Sequence, residues 1–248
     1  MSPLMLMKKI ILKFILKVKN FLFFLRQRKE WLDKGGRIDS NFIVLGDYEE
    51  KSGSASGHYF HQDLLIANRI YRDSPKRHID IGSRVDGFVA HVASFREIEI
   101  LDIRPLENKS HKNIKFIQAD LMRPKNIGKT DSLSCLHAIE HFGLGRYTDP
   151  IDVNGHVKGI NNLINLVSKG GRLYISFPIG KKDAVAFNAH RIFHPLTIFN
   201  IPSIKSFMNL EQFDYVDDFG NLHLDIDLKN FENKLTYGCG IYTFIKIK

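Results

Sequence analysis

Three carboxylates lie at or directly after the ends of three successive strand-like runs of the chain. They are Asp80 in HIDI, Asp102 in IEILDI and Asp120 directly after NIKFIQA. Each run is short and rich in isoleucine, which predicts a strand, and the first two runs are apolar enough to predict buried strands. In open α/β sheets ligands bind beyond the carboxyl ends of the strands, and an acidic residue after the second strand hydrogen-bonds ribose hydroxyls. The three carboxylates together therefore predict a nucleoside site, with Asp120 accepting from an adenine amine.

The turn after the first strand narrows the choice of ligand. A dinucleotide fingerprint, G-x-G-x-x-G, needs a middle glycine so that the backbone can approach a pyrophosphate. Here Gly82 and Gly87 are one residue too far apart, and Arg84 stands at the middle position. Asp80 should repel phosphate and accept a cationic amine. The turn favours S-adenosylmethionine over NAD, and a purely structural strand–turn–helix is the alternative.

The elements around these residues predict a doubly wound α/β domain. After the first three strands come a strand at 131–136, a helix at 157–167, a strand at 171–177, a short helix at 204–210 and β stretches at 213–219 and 240–247. We predict a Rossmann-like, seven-stranded mixed sheet. The expected division is a basic amphipathic helix at 1–32, a linker and covering helix at 33–75, and the α/β domain at 76–248.

The net charge of +9 is concentrated at the amino terminus. Residues 1–30 hold eight lysines and arginines against one glutamate, so the rest of the chain is close to neutral. Because no basic stripe runs through the globular part, a nucleic-acid partner is not expected. The two cysteines, Cys135 and Cys239, lie far apart without metal-ligand spacing, so we expect neither a disulfide nor a metal site, and a cytoplasmic setting.

Residues 4–25 are too often interrupted by lysine for a membrane span. On a helix they place one apolar face opposite a basic one, the apolar face being Ile10, Ile11, Phe14, Ile15, Val18, Phe21, Leu22 and Leu25. Such a helix can lie on an anionic membrane surface. The alternative is a helix that docks on the protein's own body or on a second copy, as in a homodimer.

The segment before the first strand is predicted to be a connecting loop followed by a helix. Residues 33–57 are rich in glycine and serine, and 58–73 show a helical apolar pattern that could cover the cofactor crevice. His58 and His61, at the start of this helix, are expected to be solvated loop residues rather than ligands.

From about residue 76 to the end, the sequence resembles the class I S-adenosylmethionine-dependent methyltransferases. The motifs are IDIGSRVDG, LDI, ADLM, DSLSCLHAIEH and KGGRLYISFPIG. The resemblance implies a methionine subsite at Asp80, Gly82 and Arg84, a ribose subsite at Asp102 and Ile103, and an adenine subsite at Asp120 and Leu121. Arg84 departs from the usual glycine and could pair with the ligand carboxylate.

The long segment from Asp131 to Leu163, together with FNAHRIFHP, is similar to a narrower family, domain of unknown function 268. Its members are methyltransferase-like and often accompany glycan-biosynthesis genes. The resemblance therefore implies methyl transfer to a saccharide or nucleotide-sugar hydroxyl.

Histidines supply the candidate catalytic groups, because imidazole is the usual general base near neutral pH. His137 follows the fourth strand and could act as base or contact the cofactor. His141 would share its face if a helix begins early, and His190 lies in the loop after the fifth strand. A structural or cofactor-side role is the alternative for His141.

Four further polar residues are expected to bind the acceptor. Arg191 could hold an acidic sugar or sugar phosphate through bidentate hydrogen bonds. The others are His194, His156 and Asp152. The sequence thus predicts a cytoplasmic, membrane-peripheral methyltransferase with a small-molecule or saccharide acceptor. A non-catalytic methyltransferase-like scaffold of a membrane-associated glycan-assembly complex is the alternative.

Overall fold

The computed structural model describes residues 3–107, 111–123 and 126–248, which form two compact units, 1–54 and 55–248. The first unit is built on helix α1 (Pro3–Asp33) and ends with an irregular segment containing a 3₁₀ turn at Asp47–Glu49. The predicted helix at 1–32 is therefore present, although residues 1 and 2 lie outside the described part. In that part of the chain, no helix is both long and apolar enough to traverse a bilayer.

The second unit contains four helices and ten strands among its described residues. The helices are α2 (His58–Asp73), α3 (Ala90–Ala93), α4 (Gly155–Leu166) and α5 (Pro202–Phe207). The strands are β1 (His78–Ile81), β2 (Ile98–Asp102), β3 (Ile114–Gln118), β4 (Thr130–Leu136), β5 (Val167–Ile179), β6 (Ala184–Ala186), β7 (His190–Ile192), β8 (Met208–Val216), β9 (Leu222–His223) and β10 (Gly238–Lys246). Each predicted helix and strand is found within a few residues of its expected place.

The main sheet has eight strands in the order β3-β2-β1-β4-β5-β10-β8-β9. Strands β1 to β5 pair in parallel, and β10 runs antiparallel to both β5 and β8. The predicted Rossmann-like mixed sheet is confirmed. The count differs by one because the two-residue strand β9 adds an edge that is too short to show in the sequence pattern.

Chain direction across the sheet reverses at β1, which lies between β2 and β4. Strands β2 and β3 lie on one side of β1, and the chain then returns so that β4 lies on the other side of β1. A crevice forms beyond the carboxyl ends of the strands at such a switch point. Asp80 lies near the end of β1, Asp102 ends β2 and Asp120 follows β3, so the topology brings the three predicted carboxylates to one edge.

Alternate side chains of the strands supply the cores on the two faces of the sheet. On β5, Leu173, Ile175 and Phe177 pack into the cluster beneath α4 and α5, whereas Tyr174 packs into the cluster beneath α2 and α3. Strand β1 is buried along its whole length because helices cover both faces.

A buried ion pair attaches α2 to the antiparallel half of the sheet. Arg69 Nη1 lies 2.8 Å from Asp214 Oδ2 and donates to Thr243 Oγ1 at 3.0 Å. Nearer the crevice, Ser176 Oγ donates to Gln62 Oε1 at 2.6 Å. The Gln62 contact holds the amino-terminal half of α2 beside the carboxyl end of β5, and the Arg69 contacts hold its carboxyl-terminal half on β8 and β10.

The segment after β5, in which the sequence predicted a loop, contains the small hairpin of β6 and β7. Its strands are three residues long, and β6 is exposed throughout, so no apolar alternation marks it in the sequence. This hairpin places His190 close to the ends of the central strands.

Candidate functional site

The crevice beyond β1 and β4 contains two hollows. The larger one, about 660 Å³, is walled by α2, the turn after β1, the segment after β4, and by His190 and Tyr237. The smaller one, about 60 Å³, lies beyond the ends of β2 and β3. Both hollows are lined by Gly82, Arg104, His137, His141 and Tyr147. These shared residues mark the point where the hollows meet.

Asp80 holds the turn after β1 together and does not face the crevice. Its side chain is fully buried and accepts from Ser83 N at 3.1 Å, from Ser83 Oγ at 2.9 Å and from Ser134 Oγ at 2.6 Å. Burial raises the pKa of Asp80 to about 7. The expected contact of this carboxylate with a ligand amine is therefore wrong in this structure, because its oxygens are already satisfied by the turn.

Gly82 and Arg84 both line the crevice, but Gly82 lies in a sterically restricted place and Arg84 at the surface. Gly82 has φ +76°, and a Cβ at this position would lie 2.9 Å from Ala138 Cβ, so only glycine fits here. Arg84 extends to the surface, where it donates to Asp86 at 2.9 and 2.6 Å. The arginine at the middle position is thus exposed and paired within the turn.

Arg104 is hydrogen-bonded to Asp102, the carboxylate that was predicted to bind ribose. Its Nε donates to Asp102 Oδ1 and Oδ2 at 3.0 and 3.1 Å, and its Nη2 donates both to Asp102 Oδ2 and, at 3.0 Å, to Gly82 O. The guanidinium also lies 4.9 Å from the centre of the Tyr147 ring. Sequence reasoning did not identify Arg104, although it stands two residues after Asp102.

The smaller hollow has an apolar floor with polar groups at its rim. Leu121 is buried, and Ala119, Ile103 and Phe142 line the same space. Asp120 Oδ1 accepts from Met122 N at 2.9 Å. The structure brings Asp102, Ile103, Asp120 and Leu121 together as the sequence predicted.

His137, Glu140 and His141 form a buried cluster directly after β4. His137 Nδ1 lies 2.8 Å from Glu140 Oε1, and His141 Nε2 lies 3.7 Å from the same oxygen. His137 has φ +48°, and the 3₁₀ turn begins only at Ile139, so the two histidines do not share a helix face as expected. Glu140 joins them instead.

The pKa values of the two histidines shift in opposite directions because their partners differ. Burial lowers the pKa of His141, and its Nδ1 donates to Ala189 O at 2.7 Å. A ring whose Nδ1 carries the hydrogen presents a lone pair at Nε2. Burial opposes a charge on His137, but Cys239 and Glu140 outweigh it and raise the pKa of His137 well above its usual value.

Two residues that sequence reasoning set aside, His58 and Cys239, lie beside His137, which lines both hollows. The ring of His58 stacks on His137 with centroids 5.2 Å apart and on Tyr237 at 5.5 Å. His58 is half-buried at the start of α2, so the expectation of a solvated loop residue is wrong, and this burial lowers its pKa to about 4. Ligand atoms of His58, His137 and Cys239 all lie within 4.8 Å of one another. No local spacing could have joined them, because they come from three distant parts of the chain.

The four residues expected to bind the acceptor lie outside both hollows, and that expectation is corrected. Arg191 is 5% exposed and donates to Glu140 O at 3.3 Å and Phe142 O at 2.7 Å, so it supports the segment after β4. Asp152 pairs with Lys158, His156 packs 5.6 Å from the Phe193 ring, and His194 Nδ1 accepts from Leu196 N at 3.3 Å. Of the residues predicted from this region, His190 alone lines the larger hollow.

Comparison with known proteins agrees with the geometry. A family model described as Caenorhabditis protein of unknown function, DUF268, matches residues 99–246, more than half of the chain. No curated protein matches the sequence.

Among solved structures, the N-methyltransferase NodS from Bradyrhizobium japonicum WM9 in complex with S-adenosyl-L-homocysteine shares 13% identity. The match covers 77% of this chain and 89% of that one, with a TM-score of 0.53. An S-adenosylmethionine-dependent methyltransferase from Clostridium acetobutylicum ATCC 824 shares 11% identity over 77% and 92%, with a TM-score of 0.51. The [4+2]-cyclase SpnF shares 13% identity over 75% and 81%, with a TM-score of 0.53. These likenesses show the fold, and SpnF shows that the fold also carries other chemistry.

Proposed function

Because the chain belongs to the family described as Caenorhabditis protein of unknown function, DUF268, and has the fold of NodS, we propose that it is an S-adenosylmethionine-dependent methyltransferase. The observation that carries the proposal is the paired hollow at the topological switch point. One half offers an apolar floor with carboxylates, and the other offers acid–base groups. That division suits a nucleoside donor on one side and a polar acceptor on the other.

The residues of the smaller hollow fit the donor. Asp102 and Ile103 would hold the ribose, and Asp120 and Leu121 the adenine, because carboxylates accept from hydroxyls and amines while the apolar side chain packs on a ring. Gly82 keeps open the neck between the hollows, which a Cβ would close against Ala138. Arg104 must release Asp102 for the ribose to bind. When bound, S-adenosylmethionine supplies a methyl group already activated on a sulfonium.

His141 is the residue placed to act as general base. Its Nδ1–H is held by Ala189 O at 2.7 Å, which leaves the Nε2 lone pair available, and His141 lines both hollows. His137 is less suited because its Nε2 atom is fully buried. An acceptor hydroxyl would pass its proton to His141 Nε2 as its oxygen takes the methyl group, while the methyl–sulfur bond breaks and S-adenosylhomocysteine is the leaving group.

The larger hollow suggests a hydroxyl-rich acceptor, and we propose a saccharide or nucleotide-sugar of a surface-glycan pathway. Tyr59 and Tyr237 provide aromatic faces, and Asp63, His190 and Arg146 provide polar groups around them. Aromatic stacking together with a few placed polar groups is how small polar ligands are bound in such clefts. Mass-spectrometric comparison of surface glycans from cells with and without the protein should show one methyl group missing.

Calorimetry with S-adenosylhomocysteine tests the donor site directly. We expect micromolar binding that is weakened by Asp120→Asn and unchanged by His194→Gln, which lies outside both hollows. No binding to the full-length protein, or to a variant freed of Arg104, would favour the alternative of a non-catalytic scaffold. Binding without any methylated product would favour a different chemistry on the same fold.

The variant His141→Gln tests the role of general base separately from donor binding. We expect this variant to lower turnover by about 10²–10⁴-fold, the usual contribution of a general base, with little change in S-adenosylhomocysteine affinity. The assay is single-turnover methyl transfer to the glycan acceptor over a range of pH. Near-normal turnover in this variant would remove His141 from the mechanism.

We also propose that α1 attaches the protein to an anionic membrane at the inner face. The segment 41–49 packs on one side of α1, where Asn20 Nδ2 donates to Leu45 O at 2.9 Å and the Phe23 ring meets Tyr48 edge-on at 4.9 Å. By helical geometry, positions 20 and 23 lie opposite the apolar stripe. Within its own unit, therefore, the stripe is left exposed, with Phe14 at 68% and Leu22 at 61%.

Charge and exposure together favour a membrane over a protein partner for this stripe. Basic side chains flank it, and each basic residue near an anionic surface contributes about 1 kcal/mol. We expect the full chain to float with anionic vesicles and Phe14→Glu to abolish this. Leu12→Glu is the matched control, because Leu12 is also 68% exposed but lies on the other side of the helix. A stable dimer in solution that Phe14→Glu dissociates would overturn the membrane proposal.

A further inference from the structure

One sulfur and two imidazole groups come together beside the larger hollow, and one of the imidazoles, His137, lines it. His58 begins α2, His137 follows β4, and Cys239 lies on β10. One ligand atom from each lies within 4.8 Å of the other two. We propose that His58, His137 and Cys239 bind a divalent transition-metal ion, with Zn²⁺ as the ion expected.

The environment of His137 supplies an independent argument for an ion. The side chain is 4% exposed, and its Nε2 atom is fully buried with no hydrogen-bond partner among the described residues. A buried polar atom without a partner is costly and calls for an explanation such as an unseen ion. Because Nδ1 contacts Glu140 Oε1 at 2.8 Å, Nε2 is the ring nitrogen that is left to bind an ion.

Glu140 completes a pattern that is common around metal-binding histidines. A ligating histidine almost always donates its other ring nitrogen to a carboxylate or carbonyl, which fixes the orientation of the ring. Glu140 is 1% exposed, and its second oxygen, Oε2, has no hydrogen-bond partner in the described part of the chain. A buried carboxylate in this position adds negative charge that favours a cation nearby.

The donor atoms favour zinc over magnesium or calcium. Two nitrogens and one sulfur match the N/S ligand sets of Zn²⁺, whereas Mg²⁺ and Ca²⁺ take oxygen. Around a tetrahedral zinc with bonds of about 2.0–2.3 Å, such atoms lie roughly 3.4–3.6 Å apart. In the structure the three ligand atoms lie within 4.8 Å of one another, so binding an ion requires them to move closer by about 1 Å. The half-buried ring of His58, at the start of α2, can make this movement.

Three protein ligands leave a fourth position for an exchangeable group, as in catalytic rather than structural zinc sites. His137 lines both hollows, so this position adjoins the crevice. A bound ion there would lower the pKa of a coordinated water or hydroxyl. The site does not depend on the methyl donor, and its test does not use one.

The experiment is equilibrium binding of Zn²⁺ to the metal-free, full-length protein in competition with a chromophoric chelator. We expect one ion per chain, with affinity at least tenfold weaker in His58→Gln and in Cys239→Ser. Glu140→Gln should weaken binding by about 10–100-fold, the usual effect of losing an orienting partner. Cys135→Ser is the matched control, since Cys135 is the other buried cysteine and should leave binding unchanged.

Substitution with Co²⁺ identifies the ligands. A thiolate-to-cobalt charge-transfer absorption should appear in the parent protein and in Cys135→Ser, and be absent in Cys239→Ser. Far-UV circular dichroism checks that each variant is folded, and His58→Gln tests the site should Cys239→Ser not fold. Absence of Zn²⁺ binding in the parent, or binding that persists unchanged in His58→Gln, would overturn the proposal. Calorimetry with S-adenosylhomocysteine is unaffected by either outcome and tests the proposed function separately.

Discussion

Replacing Arg104 by methionine should strengthen the binding of S-adenosylhomocysteine. Arg104 holds Asp102 through hydrogen bonds at 3.0 and 3.1 Å and a third, shorter one, so the ribose must displace it. Methionine keeps an unbranched side chain of similar length and removes the charge. The variant therefore presents Asp102 to the ligand without competition.

The size of the effect follows from the burial of the pair. A hydrogen bond to a charged group contributes about 1.5–3 kcal/mol. Here the Arg104 side chain is 38% exposed and that of Asp102 is 9% exposed, so solvent screening reduces the figure to about 1–2 kcal/mol. Since 1.4 kcal/mol corresponds to a tenfold change in binding, we expect affinity to rise by about 5–30-fold.

Isothermal titration calorimetry at fixed ionic strength measures the difference. Arg37→Met is the matched control, because Arg37 also pairs with an aspartate, Asp39, but lines neither hollow. Equal or weaker binding in Arg104→Met would refute the reasoning and show that the arginine itself contacts the ligand. Raising the salt concentration should narrow the gap between the parent and the variant, because salt weakens the competing ion pair.

Three further substitutions test other parts of the structure. Arg191→Met should lower the free energy of unfolding by about 2–4 kcal/mol, because it leaves the buried carbonyls of Glu140 and Phe142 without their donor; urea denaturation measures this, and an unchanged midpoint would contradict the supporting role. Burial lowers the pKa of His78 to about 3, so its neutral form stabilises the fold above pH 6.5 and this contribution is lost as pH falls towards 3. Between pH 6 and 4 the parent should lose stability relative to His78→Asn by up to about 1.4 kcal/mol per pH unit, and a pH-independent difference would exclude this. Gly159→Ala should lower the melting temperature, because the new Cβ would lie 2.6 Å from Phe142 Cδ2, and an unchanged melting temperature would show that the ring moves freely.

The fold could be predicted because its signals are local. Short isoleucine-rich runs alternate with helical patterns, and right-handed crossovers leave few ways to order five parallel strands. The same logic placed Asp102 and Asp120 correctly at one edge of the sheet. The short strands β6, β7 and β9 were not predicted, because two or three residues carry no periodicity.

The partners of the site residues could not be predicted, because each partner comes from elsewhere in the fold. Ser134 on the neighbouring strand accounts for the buried state of Asp80, which from sequence alone looked free to bind an amine. Arg191 has the right chemistry for an anionic sugar, yet the hairpin turns it inward to backbone carbonyls. Residue type indicated what each side chain could bind, and only the fold decides what it does bind.

His137 and His141 show that a second hydrogen-bond partner can give two identical side chains different roles. Both approach Glu140 Oε1, at 2.8 Å and 3.7 Å. His137 uses Nδ1 for this contact, so its free nitrogen is the buried Nε2 that lies beside Cys239 and His58. His141 instead places Nδ1 on Ala189 O, a carbonyl that the β6–β7 hairpin brings to it, and keeps Nε2 for a proton from the crevice. One carboxylate can therefore orient a metal ligand and stand beside a general base, because the hairpin and not the local sequence determines which nitrogen each ring leaves free.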